Sequence, residues 1–189
     1  NYEPFPFEPS EVECVMLSHA HIDHCGRLPL LVKRGFTGKI YCTDATADLL
    51  EVMLKDSGYI HEKDAEWQNK RNARAGKPQI EPLYTVADSE ETLKYVEPVL
   101  YDQLIEINDE MKIVFNDAGH ILGSAITELW VNEGERENKI VFSGDLGMTD
   151  RPILRDPTYI KKADCVIMET TYGNRNHGEN AASIKQLID

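Results

Sequence analysis

The run VECVMLS, residues 12–18, is apolar and β-rich, and it stops abruptly at HAHIDH, residues 19–24. Those six positions hold three of the chain's six histidines and an aspartate. Such a junction constrains the fold, because a buried strand has to deliver a cluster of polar side chains to one end of a sheet. In extended backbone His19 and His21 point to the same side. Asp23 and His24 follow where the chain bends toward the next helix. Imidazole combined with carboxylate is a donor set for zinc, or for a neighbour such as manganese or iron. A closed structural zinc site draws more often on cysteine, whereas this nitrogen and oxygen set is the catalytic type that keeps a position open for water. The bland alternative is a solvated polar loop, and the HxHxDH spacing outweighs it.

The rest of the pattern predicts an α/β layered fold with a mixed sheet. GRLPLLVKRG (26–35) reads as a short helix and GKIYCT (38–43) as a strand. DATADLLEVMLKDSG (44–58) reads as a helix capped by Asp44, with Leu49, Leu50, Met53 and Leu54 at helical spacing. Residues 59–77 are polar and predict a solvated helix that leads to a loop. SEETLKYVEPV (89–99) predicts a short helix ended by Pro98. Strands are expected at 111–119, 125–132, 139–145 and 164–170, and a helix at 179–189.

At 189 residues the chain can build one substantial core. It has no apolar run near the length of about 18 that a membrane helix needs, and no secretory leader. The absent initiator methionine and a final helix that stops mid-pattern lead us to expect a fragment. The four cysteines, Cys14, Cys25, Cys42 and Cys165, form no CxxC pair, so reduced thiols in the cytoplasm are the expectation. Cys14 and Cys165 fall in strand-like runs and read as core hydrophobes. The formal charge of −13 argues, taken alone, against nucleic acid as a partner.

A reactive metal site needs donors from more than one loop, and two more strand ends offer them. NDAGHILGSA places His120 after the 111–117 strand, and VFSGDLG places Asp145 after another, each with glycines beside it. His120 alone would read as a hydrogen-bonded core histidine, and Asp145 alone as a turn cap; in this company both read as ligands.

The series SHAHIDH, AGHILGSA and SGDLG, in this order, resembles the metallo-β-lactamase superfamily. METTYGNRNH (168–177), GRLPLLVKRGFTGKIYCTDATADLL and EPLYTVAD narrow the resemblance to its β-CASP branch of RNA-processing metallonucleases. The resemblance implies an αββα sandwich with mixed sheets, incomplete at both ends. Residues 1–178 would form the lactamase-like domain, and 179–189 would begin a β-CASP-type domain or its connecting helix. It implies two divalent metals, zinc first: His19, His21 and His120 on one, Asp23 and His24 on the second, Asp145 bridging. Asp23 would also orient water, and Glu169 would hold a general-acid histidine. That histidine, a last ligand of the second metal and an aspartate of the family's first motif would lie outside the chain. The implied reaction is hydrolysis of RNA by a two-metal-activated hydroxide, with single-stranded RNA as partner. DNA, or a small thioester or lactone, is the alternative substrate, and a non-enzymatic scaffold subunit is set aside because every ligand that could be present is present. A homo-oligomer is allowed. Arg175 and His177 are weak candidates for phosphate contact, and Lys63, Lys70, Arg71 and Arg74 could touch RNA from an otherwise solvated face.

Overall fold

Two parallel crossovers build the first half. A computed structural model describes residues 3–174. Strand β1 (Cys14–Met16) leads through helices α1 (Ile22–Cys25) and α2 (Leu28–Lys33) to β2 (Lys39–Thr43). Strand β2 leads through α3 (Asp44–Arg74) and α4 (Val86–Leu93) to β3 (Val96–Val99), giving a wholly parallel sheet in the order β1-β2-β3. The second half is a meander of β4 (Ile105–Glu106), β5 (Met111–Asp117), β6 (Ala125–Asn132) and β7 (Glu137–Phe142), completed by β8 (Cys165–Ile167). These five pair in sequence order, antiparallel except for the parallel β7–β8 pair. One sheet is therefore parallel and only the other mixed, where mixed sheets were expected.

Alternation along β2 shows how the layers join. Ile40 and Cys42 face α2 and α3, in a core with Leu28, Leu31, Leu50 and Leu54. Tyr41 faces the other sheet and packs with Val99, Ile113, Phe115 and Ala125. The outer face of the second sheet, at Ala118, Ile126 and Val141, is covered by Leu146 and Ile160 rather than by a helix among the described residues.

Several local expectations are corrected. Helix α3 does not stop near Gly58 but runs 31 residues, and its N-cap is Thr43, whose hydroxyl accepts the Thr46 N–H, not Asp44. Gly58 serves close approach: a Cβ there would lie 2.8 Å from the Thr85 carbonyl oxygen at the start of α4. Leu50 and Leu54 are fully buried, while Leu49 is 37% exposed and faces outward. Helix α4 begins at Val86, behind a Thr85–Asp88 capping box. Pro98 lies inside β3, an edge strand, where a missing N–H is tolerated. Cys165 is exposed on the edge strand β8 instead of buried. The helix expected at 179–189 and the domain boundary at 178 lie outside the described residues.

Candidate metal centre

Three loops meet at one end of the sheets, and small residues let their backbones close. The loop after β1 carries His19 and His21, and Asp23 and His24 ride on the single turn of α1. The loop after β5 carries His120. Its carbonyl at Gly123 accepts from both Thr43 and Thr46, at 2.6 and 2.9 Å, which ties this loop to the first turn of α3. The loop after β7 carries Asp145. Gly147 N–H donates to the Ala118 carbonyl at 2.8 Å, and a Cβ on Gly147 would collide with the Gly119 backbone. Gly144 lies against Ser18, 2.8 Å from its Cβ if a side chain were added. The glycines that flank His120 and Asp145 are therefore contact points between loops.

His19 Nε2 lies 3.0 Å from His21 Nδ1, which lies 3.2 Å from His120 Nε2. Asp145 Oδ2 is 3.7 Å from His19 Nε2 and 3.6 Å from His120 Nε2. All four donor atoms fall within 4.8 Å of one another. A tetrahedral zinc with bonds of about 2.0–2.1 Å would set its ligand atoms about 3.3–3.4 Å apart. The spacings straddle that value, so the residues fit such an ion. On the far side of the carboxylate, Asp145 Oδ1 is 3.2 Å from His24 Nε2, which is 3.7 Å from Asp23 Oδ2. The two oxygens of Asp145 thus face two donor sets, one of three histidines and one of His24 with Asp23.

Electrostatics favours neutral donors here. Burial, then the neighbouring His24, His21 and His120, push the His19 pKa down to about 3. Burial also lowers that of His120, against an opposing pull from Asp145. Neutral imidazoles keep a lone pair for a cation. Ser18 Oγ lies 3.1 Å from His19 Nδ1 and 3.5 Å from His24 Nδ1. With both Nδ1 atoms protonated and donating to that hydroxyl, both Nε2 atoms are left free to ligate.

Glu169 lies beside the site, its Oε1 accepting the Leu146 N–H at 2.7 Å. It lines a cleft of about 490 Å³ with His120, Asp145, Arg151 and Tyr172. Arg175 and His177 lie outside the described residues. Sequence reasoning missed Ser18 and Ser124. The Ser124 hydroxyl accepts the N–H groups of His120 and Ile121 at 3.0 and 3.2 Å and closes the His120 turn. A hydroxyl four residues after a histidine in a glycine-flanked turn was the available signal.

A family model described as the metallo-β-lactamase superfamily matches residues 5–176. The chain belongs to the metallo-β-lactamase superfamily. Three relatives within the superfamily agree with the β-CASP resemblance. The chain is 35% identical over 189 residues to a ribonuclease of Thermus thermophilus, covering 100% of itself and 38% of that protein. It is 36% identical over 177 residues to the transcription termination factor FttA of Methanosarcina mazei, covering 93% of itself and 25% of FttA. It is 30% identical over 168 residues to FttA of Methanocaldococcus jannaschii, with coverages of 88% and 24%. The chain thus spans well under half the length of each relative. No helix among the described residues is long and apolar enough to cross a membrane.

Proposed function

We propose that this chain is the metal-holding part of a hydrolase that cuts phosphodiester bonds in RNA. The observation that carries the reading is the Asp145 carboxylate, whose two oxygens face two separate donor sets. His19, His21 and His120 would hold one divalent ion, Asp23 and His24 the other, with Asp145 shared, and zinc suits the nitrogen-rich set best. A bound pair of such ions would supply a water that loses its proton near neutral pH, together with about four positive charges that reverse the local field of a chain at −13.

The protein's own groups have separable tasks. Ser18 fixes the tautomers of two ligands. Asp23, with its side chain 75% exposed, stands at the open rim where it can orient an attacking water. Glu169 grips the backbone just after Asp145, which steadies the bridge and leaves its second oxygen to hold a general-acid histidine. RNA is favoured as substrate by the ribonuclease relative, and the four unpaired cysteines suit a reducing cytoplasm.

The test is cleavage of end-labelled single-stranded RNA and of matching DNA by the full-length protein, beside an Asp23→Ala control. RNA loss that disappears in the variant supports the reading. Survival of both nucleic acids in a sample shown to hold its metals overturns it and moves attention to thioesters and lactones.

A further inference from the structure

Helix α3 continues well past the core, and its outward side changes character halfway along. The buried residues Leu50, Leu54, Gly58 and Ala65 mark the inner face. At 100° per residue, the opposite arc from residue 59 onward begins with Tyr59, Ile60, Lys63 and Trp67, all exposed or partly so. Lys70, Arg71 and Arg74 complete it, so the arc carries two aromatic rings, four cations and no carboxylate. Tyr59 is 52% exposed and Trp67 60%. Lys63 lies over the Tyr59 ring at 5.5 Å, and Arg71 over Trp67 at 4.7 Å. Of the nearby acids, Glu62 accepts the Val86 N–H on α4 and Asp64 sits at one rim, while Glu66 at the other rim pairs with Lys63, which leaves Lys70, Arg71 and Arg74 as the cations free to meet phosphates. Among the described residues none of Lys70, Arg71 and Arg74 is in an ion pair closer than 4.0 Å. The helix end is held in place from behind, where Asn69 exchanges two hydrogen bonds of 2.8 Å with Ile80 and Asn72 donates to the Pro78 carbonyl.

We infer that the outward arc of α3 from Tyr59 to Arg74 is a binding platform for single-stranded RNA, separate from the metal centre. The inference deepens the reading of the chain as an RNA hydrolase and rests on it. Exposed rings offer stacking faces that accept any base, and cations interleaved with them track the phosphates. The same arc is different nearer the start of the helix, where Leu49 and Val52 are accompanied by Asp56, and the platform excludes that part.

The experiment is an anisotropy titration of a labelled oligouridylate of about 16 nucleotides, using the full-length protein with metals chelated so that nothing is cut. Far-UV circular dichroism and melting first show that the variants keep the fold. Trp67→Ala is expected to weaken binding about tenfold or more through lost stacking. The triple variant Lys70→Ala, Arg71→Ala, Arg74→Ala is expected to reduce the slope of log affinity against log salt by about 2, at roughly 0.7 per phosphate contact. Affinity within twofold of the parent in both variants overturns the platform. It is equally overturned if Trp67→Ala converts an oligomer to monomers in sedimentation while oligouridylate binding is unchanged, since the arc is then a protein contact. Failure of the hydrolase reading looks different: no metal-dependent cleavage, with oligouridylate binding that still depends on Trp67.

Discussion

Replacing Ser18 with alanine removes one oxygen and leaves the Cβ that packs against Gly144, so the loops keep their contact. Two things are lost. The His19 Nδ1–H, in a side chain with no exposed surface, loses its acceptor at 3.1 Å, and His24 loses one at 3.5 Å. An unmet buried donor costs about 1–3 kcal/mol. For a domain of this size each kcal/mol corresponds to a shift of about 2–4 °C in melting temperature. His19 can escape that cost by moving its proton to Nε2, but Nε2 is the atom that faces Asp145 and the other imidazoles. Either way the donor set is weakened, and zinc affinity is expected to fall about 10–100-fold, as for other losses of a hydrogen bond behind a metal-ligating histidine. Competition against a chromophoric chelator measures it, with metal-free melting curves run in parallel. Zinc affinity within twofold of the parent, together with an unchanged melting temperature, would refute the assignment of Ser18 as the group that sets these tautomers.

Gly123→Ala places a side chain at φ +83° with its Cβ 2.5 Å from the Thr46 nitrogen; strain of this kind costs about 1–3 kcal/mol, so melting temperature and zinc uptake should both drop. Asp145→Asn keeps the shape of the bridge and removes its charge; metal analysis after dialysis should find fewer than two ions per chain, and full retention of two would contradict the bridging role. The metal-free protein should lose stability as pH falls. His19 is depressed from its usual 6.5 to about 3 in the folded state, so between those values the unfolded chain binds more protons, and the stability held above pH 6.5 is lost on the way down to 3. Urea midpoints measured at pH 7.5 and pH 5 test the sign.

The strands were readable because short apolar, β-rich runs bounded by glycine, asparagine and aspartate turns mark β2, β5 and β6, which are buried along most of their length. The clustering of His19, His21, His120 and Asp145 was legible for a different reason, since a packed core has little use for three histidines crowded at one strand end, and these side chains do meet in one place. What escaped was tertiary in origin. Gly58 looks like a helix stop, yet its missing side chain admits the Thr85 backbone and α3 passes straight through. Pro98 looks like a helix stop as well, and an edge position in the parallel sheet lets it stay inside a strand. The Thr85–Asp88 box announced the start of α4 locally and went unread. Ser18 and Ser124 gain meaning only from the histidines they touch, and the three loops that bring those histidines together come from separate parts of the chain.

The pair of threonine hydroxyls on the Gly123 carbonyl makes the first turn of α3 and the His120 turn a single fitting. From that fitting the helix projects as a rod of about 46 Å, with Trp67 about 35 Å along it, at about 1.5 Å per residue. Asp23 shares a cleft with Ser57 and His61 midway along α3, so Trp67 lies only about 9–15 Å further along the axis from there. A strand gripped at Trp67 while another of its phosphates lies beside Asp23 would have to bridge that shorter reach, about three to four nucleotides at a stacked rise of about 3.4 Å. If the proposed RNA hydrolysis and the proposed platform both hold, the chain would carry a ruler in its own backbone: RNAs below that length would be cut without the helix's grip, and longer ones would be held at two points and cleaved at a lower KM.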